Sequence, residues 1–168
     1  MKIFIPHPHH SEDVLVSGSG ASISGHNHAR ALSEFFEVYH PSEIAEDYEK
    51  NIYGIVPEFE TIESSTRWFE RLSFDALIMF EPNVDELAFY RHVCPAPIII
   101  RLSCCYGHNR EFLNQVLECY SLLRPWDALC PKSEWAAREI GDLVYDRSYL
   151  RPISNGGDLE LFRPLDKI

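Results

Sequence analysis

Several features that would point directly to a function are missing from this sequence. It contains no Gly-Lys-Ser/Thr phosphate loop, its five cysteines form no Cys-x-x-Cys pair, and no apolar run approaches the roughly 20 residues that a bilayer span needs. Basic residues are also scarce, with 15 Lys and Arg against 26 Asp and Glu. These absences argue against a P-loop nucleotide-binding domain, a disulfide framework, a structural zinc site, a membrane span and a general nucleic-acid binder.

The 168 residues have the composition of one globular domain, with 45% hydrophobic and 24% charged side chains. The net charge of −11 is uneven, because the segment between Glu34 and Tyr90 accounts for all of it. A solvated acidic face and an acidic docking surface both fit such a run, and the first is the more common. The N-terminus lacks the uninterrupted apolar stretch of a signal peptide, so we expect a cytoplasmic protein.

Short apolar runs alternate with longer amphipathic stretches along the chain. This alternation predicts a Rossmann-like, doubly wound α/β domain, with a mostly parallel sheet and helices on both faces. The acidic region 42–60 gives no readable pattern. The predicted strands are 3–5, 38–39, 75–80, 97–102 and 127–130, with a further extended segment at 149–153, and the predicted helices are 26–36, 61–72, 84–93, 109–123 and 134–140.

A glycine- and serine-rich segment, 17–25, follows the first predicted strand. Its glycines do not match the Gly-x-Gly-x-x-Gly spacing of dinucleotide-binding domains, which disfavours a nucleotide-binding oxidoreductase. We expect Ser24 and Gly25 to form a flexible loop that leads into a helix at His26, whose N-terminus favours an anion. Imidazole is a common metal ligand, but no carboxylate or cysteine has a matching spacing, so we predict no metal at the neighbouring histidines, which are His7, His9, His10, His26 and His28.

Glu81, Pro82 and Asn83 directly follow a predicted buried strand. Ligands of doubly wound sheets bind beyond the carboxyl ends of the strands, which would place the Glu81 carboxylate at the binding edge. A purely structural interpretation is equally open, in which Pro82 and Asn83 form a turn and Glu81 caps the next helix. Cys104 and Cys105 follow the next strand, where packing is favoured over a nucleophilic role.

Four segments share their order and spacing with one enzyme family. They are the Ser24-Gly25 loop with its following helix, the strand 74–83 that ends in Glu-Pro-Asn, the stretch 126–138 with Asp127, a short strand, Ser133 and a helix, and a C-terminal turn with Asn155, Gly156, Asp158, Phe162 and Pro164. Together they resemble the N-terminal half of a retaining glycosyltransferase of the GT-B architecture, from the family four group.

The resemblance implies transfer of a hexose from a nucleotide sugar, with this domain on the acceptor side. It implies that Ser24, Gly25 and His26 lie near the donor phosphates. Family members usually carry a histidine where this sequence has Ser103, so Ser103 and the nearby His108 are the catalytic candidates. The residues implied at the edge of the cleft are Glu81, Asn83, Ser133, Asn155 and Gly156.

The resemblance also divides the chain. It implies a Rossmann-like N-terminal domain over residues 1–161 and the start of an interdomain linker at 162–168, and we expect the C-terminal donor-binding domain to be absent. The expected function is the acceptor-side half of the enzyme, inactive until a second domain or polypeptide supplies the donor site. Its partner is a sugar or glycoconjugate acceptor, and it needs no cofactor because the nucleotide sugar is a co-substrate. The alternative is a non-catalytic binding module on the same scaffold, since Phe80 and Ser103 replace the family's histidines.

Overall fold

Strands and helices alternate in the computed structural model, which describes residues 1–6, 20–41, 51–55, 61–102 and 110–153. The strands in these ranges are β1 (Lys2–Phe4), β2 (Glu37–Pro41), β3 (Ile52–Ile55), β4 (Ala76–Phe80), β5 (Ile98–Leu102) and β6 (Ala128–Pro131). The helices are α1 (Gly20–Ser33), α2 (Ile62–Leu72), α3 (Val84–Val93), α4 (Arg110–Ser121) and α5 (Glu134–Gly141).

The described strands form one parallel sheet in the order β3-β2-β1-β4-β5-β6. The chain runs outward from β1 to β3, crosses back to β4 beside β1, and then runs outward in the other direction. Residues 149–153 extend along the outer side of β6. There the Leu129 amide donates to the Tyr149 carbonyl (2.9 Å), and the Arg151 amide donates to the Leu129 carbonyl (2.8 Å). This topology confirms the predicted Rossmann-like, doubly wound fold.

Both faces of the sheet are apolar, because side chains alternate between faces along each strand and helices cover both sides. On one face, the Phe4 ring packs against Trp68 and Phe69 of α2, at centroid distances of 5.5 and 5.6 Å. On the other face, Ile3 and Ile5 pack beneath α1 in a second buried cluster. Phe4 therefore anchors the core on one face of the sheet, and its neighbours Ile3 and Ile5 anchor the core on the other face.

Local capping signals fix where three helices begin. The predicted cap at Ser133 is confirmed, and α3 has the bounds that were predicted for it. In each case a side-chain oxygen accepts a hydrogen bond from a backbone N–H of the first turn, which that turn cannot satisfy by itself. The pairs are Thr61 with Ser64 (3.0 Å), Asn83 with Glu86 (2.8 Å) and Ser133 with Ala136 (3.1 Å).

Helix α1 differs from its prediction. The sequence predicts a loop through Gly25 and a helix from His26 to Phe36, whereas the helix extends from Gly20 to Ser33. Gly25 and Ala29, one turn apart, are both buried. Small residues on that side allow the helix to lie close to the sheet, and the packing offsets the intrinsic cost of glycine in a helix, about 1 kcal/mol.

Strand β3 lies in the acidic region that gave no readable pattern. Its four residues pair in parallel register with β2, from Val38 opposite Ile52 to Pro41 opposite Ile55. The strand is short and contains Gly54, which weakens any local strand signal. Pairing with β2 is a non-local contact, so periodicity within this segment could not reveal it.

A buried carboxylate joins three elements at the amino ends of the strands. Asp127 Oδ1 accepts from the Ile98 amide at the start of β5 (2.8 Å), and its Oδ2 accepts from the Arg124 amide (2.6 Å) and from the Arg91 guanidinium of α3. The Asp127 side chain is fully buried and that of Arg91 nearly so. Burial is the largest influence on the pKa of Arg91 and lowers it, while the charge of Asp127 opposes that effect.

Replacing this carboxylate is expected to destabilise the domain. Asp127→Asn keeps one acceptor oxygen but leaves the Arg91 cation without its buried counter-charge, which lowers the free energy of unfolding by roughly 3 kcal/mol. Urea unfolding followed by circular dichroism measures the change.

Asp142→Asn is the matched control, because Asp142 also pairs with an arginine, Arg147, at 2.6 Å but on the exposed surface. Exposed ion pairs contribute little, so this variant is expected to unfold much like the wild type. Equal effects of the two substitutions would contradict the role assigned to the buried pair.

Candidate functional site

The strand order creates a crevice at the carboxyl edge of the sheet. Strands β1 and β4 are neighbours, yet the connections that leave them run in opposite directions, so the loops above them diverge. Ligands of doubly wound sheets bind at this switch point. The chain segments that leave the described strands at this edge include Pro6 after β1, Glu81–Asn83 after β4 and Lys132–Ser133 after β6.

Glu81 stands at the centre of this edge in an unusual backbone conformation. Its amide still continues the sheet by donating to the Arg101 carbonyl (3.0 Å), but its φ of 51° lies in the left-handed region. A residue with a side chain adopts that region at a cost of about 1–2 kcal/mol. Strained residues of this kind cluster at active sites and ligand-binding segments, and they also occur at the ends of helices.

The two interpretations of the Glu81-Pro82-Asn83 segment are now separated. Asn83, and not Glu81, is the N-cap of α3, so the interpretation of Glu81 as the cap is wrong. The Asn83 Oδ1 atom accepts this capping hydrogen bond, so Asn83, which was predicted as a residue of the cleft, has a structural role. Glu81 is left as the half-buried carboxylate that follows β4 directly.

Ser133 is likewise placed at the carboxyl edge and used as a cap. Its Oγ atom accepts from the Ala136 amide, which fixes the start of α5 directly after β6. Trp135, in the first turn of the same helix, is half exposed. The capping hydroxyl therefore orients the helix, and a side chain next to it faces the solvent.

The predicted donor-phosphate loop is corrected by the position of α1. Ser24, Gly25 and His26 lie within the helix and not in a loop before it, since the helix begins at Gly20. Gly25 is buried against the rest of the domain. Their backbone N–H groups are in the second turn and donate hydrogen bonds within the helix. The N–H groups suited to an anion therefore belong to the first turn.

Arg101 is a charged residue near this edge that the sequence reasoning missed. It lies in β5 beside Phe80 of β4, on the α1 face of the sheet, and is 3% exposed. Its Nη1 donates to the carbonyl of Cys130 on β6 (2.8 Å), which ties the ends of β5 and β6 together. An arginine within an otherwise continuous apolar strand was the available signal for it.

A small notch opens on the opposite face of the sheet, at the same edge. It lies between the ends of β4, β5 and β6 and helix α4, and most of its space is open to solvent. Ile100, Leu102 and Leu129 form its sheet side, and Val116 and Cys119 form its helix side. The closed part has room for about one water-sized or methyl-sized group.

The remaining site predictions lie outside the described residues. These are Ser103 and His108, the catalytic candidates, and Asn155 and Gly156 of the C-terminal turn. His7, His9 and His10 also lie outside them. Within the described ranges, no three His, Cys, Asp or Glu side chains are grouped as metal ligands, and no helix is long and apolar enough to cross a membrane.

Cys94, Cys119 and Cys130 are free and buried. Burial raises the pKa of all three thiols, and the pKa of Cys119 rises to about 11. The thiolate is the reactive form, so these three cysteines are packing residues and not nucleophiles.

Comparison with known proteins supports the fold. No protein-family model matches this sequence, and no curated protein sequence matches it. Among solved structures, the chain is similar to the Anabaena protein HepE (Alr3699), crystallised in complex with UDP-glucose, with a TM-score of 0.63 and 12% sequence identity. The match covers 96% of this chain and 45% of HepE, so the chain spans less than half the length of that protein.

The strain at Glu81 is measurable by comparing two truncations of its side chain. Glu81→Gly is expected to be more stable than Glu81→Ala by about 1 kcal/mol, because both variants lose the carboxylate and only glycine relieves the left-handed backbone. Urea unfolding measures the difference.

The same comparison at Ser73, which caps α2 with a φ of 52°, is expected to give the same sign. At Asn114, an exposed position within α4, the sign is expected to reverse, because glycine weakens a helix by about 1 kcal/mol relative to alanine. An alanine variant at position 81 that is as stable as the glycine variant would show that the backbone there is not strained.

The buried thiols are expected to resist modification in the folded protein. In a Cys104→Ser/Cys105→Ser variant, none of the three other thiols reacts with Ellman's reagent at about pH 8, and all three react in concentrated guanidinium chloride. A thiol that reacts within seconds under native conditions would contradict their assignment as packing residues.

Proposed function

We propose that this chain is the acceptor-side half of a nucleotide-sugar-dependent glycosyltransferase of the GT-B architecture, as its resemblance to the family four group implies. The observation that carries the proposal is the crevice between β1 and β4, with Glu81 held beside it in a strained conformation. The similarity in fold to HepE, a protein whose crystal structure contains UDP-glucose, also supports this proposal.

Charge supports the acceptor side over the donor side. A glycosyl donor loses a nucleoside diphosphate, whose charge must be stabilised by cations or by aligned N–H groups in a closed site. The carboxylate of Glu81 instead suits a neutral, hydroxyl-rich acceptor, since it accepts hydrogen bonds from sugar hydroxyls. The proposal therefore assigns donor binding to a second domain, linked through residues 162–168 or supplied by another polypeptide.

The roles of individual residues follow from this assignment. Glu81 binds an acceptor hydroxyl, while Asn83 and Ser133 position the helices that border the cleft. Because Ser24, Gly25 and His26 lie in the second turn of α1, the proposal assigns the donor phosphates to the backbone N–H groups of the first turn of this helix. Ser103 and His108 stay the catalytic candidates that the resemblance implies, and Asn155 and Gly156 stay its candidates for the edge of the cleft.

Buried cysteines that form no disulfide among the described residues support a reducing compartment, and we propose the cytoplasm. Cys94, Cys119 and Cys130 are unpaired among the described residues. Disulfides are the usual device of small secreted domains.

The proposal is tested by titrating the ¹⁵N-labelled chain with a panel of methyl glycosides and with UDP-glucose. We expect one or more glycosides to shift the amide signals of Glu81, Asn83 and Ser133 and to leave those of Ile98 and Asp127, at the opposite edge, unchanged. Glu81→Ala is expected to weaken this binding about tenfold, because a charge-assisted hydrogen bond is lost.

Asp85→Ala is the charge-matched control, since Asp85 is an exposed carboxylate in the first turn of α3. It is expected to bind the same glycosides as the wild type. Glycosides that shift only the amino-edge signals, or a chain that binds no glycoside, would overturn the acceptor-side assignment. A chain that also binds no UDP-glucose would favour an interaction module.

A further inference from the structure

The notch between α4 and the ends of β4, β5 and β6 is lined mostly by apolar side chains. Four aliphatic residues and the Cys119 thiol form most of its walls, and each of Ile100, Leu102 and Val116 is itself buried. The Cys119 thiol donates to the Pro82 carbonyl at 3.6 Å, so this sulfur already has its polar contact. A hydroxyl placed against these walls would lose its hydrogen bonds to water, whereas a methyl group would gain apolar contact.

Polar groups stand next to this apolar space. Glu81 and Gln115 also line the notch, Glu81 from the end of β4 and Gln115 from the half-buried side of α4. The strained backbone at Glu81 and the notch are thus two separate observations that meet at the same point of the carboxyl edge. Together they form an apolar space of methyl size beside groups that bind hydroxyls.

We propose that this notch is an acceptor subsite that takes a methyl substituent of the sugar, while Glu81 binds a neighbouring hydroxyl. This inference rests on the proposed acceptor-side function and names the class of acceptor. The ligand chemistry is a pyranose with one methyl group, which is present in 6-deoxyhexoses and in N-acetylhexosamines. The size of the notch selects the methyl group, because a longer alkyl chain exceeds the enclosed space.

The first experiment compares sugars that differ by the methyl group alone. Methyl glycosides of a 6-deoxyhexose and of the pentopyranose with hydrogen in place of its C6 methyl form one pair, and those of an N-acetylhexosamine and its N-formyl analogue form the other. NMR titration of the wild-type chain is expected to show about fourfold tighter binding of the methyl-bearing member of one pair, as burial of one methyl-sized group predicts. The pair that shows the preference identifies the source of the methyl group.

Intermolecular nuclear Overhauser effects then locate the group. With a ¹³C-labelled chain, the ligand methyl is expected to contact the side-chain methyl groups of Val116, Leu102 and Leu129. Contacts with α1 or with the amino edge in place of these would overturn the assignment.

A conservative variant fills the notch. Val116→Ile adds one methyl-sized group to the helix wall and is expected to remove the preference, so that both members of the pair bind with the affinity of the member that lacks the methyl group. Val144→Ile is the matched control, because Val144 is half-buried and does not line the notch. It is expected to keep the fourfold preference.

A second variant keeps the test decisive if the added group disturbs packing. Cys119→Ala enlarges the notch and is expected to admit an ethyl-bearing analogue that the wild type rejects. Glycosides that bind at the carboxyl edge without any methyl preference, in the wild type and in both variants, would overturn the methyl subsite and leave the acceptor-side function standing. Failure of every glycoside to bind would overturn both.

Discussion

The pairing of β1 with β4 is the contact on which the rest of this structure depends. The two strands are more than 70 residues apart in the chain, yet Ile3 lies opposite Ala76 and Phe4 opposite Leu77. A reciprocal pair of bonds secures the strand ends, since the Lys2 amide donates to an Asp75 carboxylate oxygen (2.7 Å) and the Asp75 amide donates to the Lys2 carbonyl (2.9 Å). This pairing reverses the direction of winding, and the reversal creates the crevice at the carboxyl edge.

The two edges of the sheet differ in how their residues affect stability. At the amino edge, the fully buried Asp127 meets a cation and two backbone amides, so its polar contacts stabilise the junction of three elements. At the carboxyl edge, Glu81 is held in a left-handed conformation and the described residues leave an apolar notch between them. Strain and incomplete packing lower stability, so their occurrence together at the edge where ligands bind is the basis for assigning the site there.

Local chemistry explains which parts of the fold could be predicted. Ser133 is a cap because its side chain bonds to an amide three residues away, and such a contact is visible in sequence. The start of α1 and the existence of β3 depend on contacts with distant strands. The start of α1 was therefore predicted wrongly, and β3 was not predicted at all. The site shows the same division. The place of Glu81 after a strand and the arginine within β5 are visible in the sequence, whereas the φ angle of Glu81, the burial of Arg101 and the notch are not.

The sequence by itself determined the class of the fold, the order of most elements and the concentration of acidic residues in the first half, because each depends on composition, periodicity or short-range capping. Only the tertiary structure decided that Gly25 lies within a helix, that Glu81 has a left-handed backbone, and that an apolar notch borders Glu81. The reason is physical: helix ends and strand character are set within a few residues, whereas backbone strain, close packing and cavities arise only when distant segments meet.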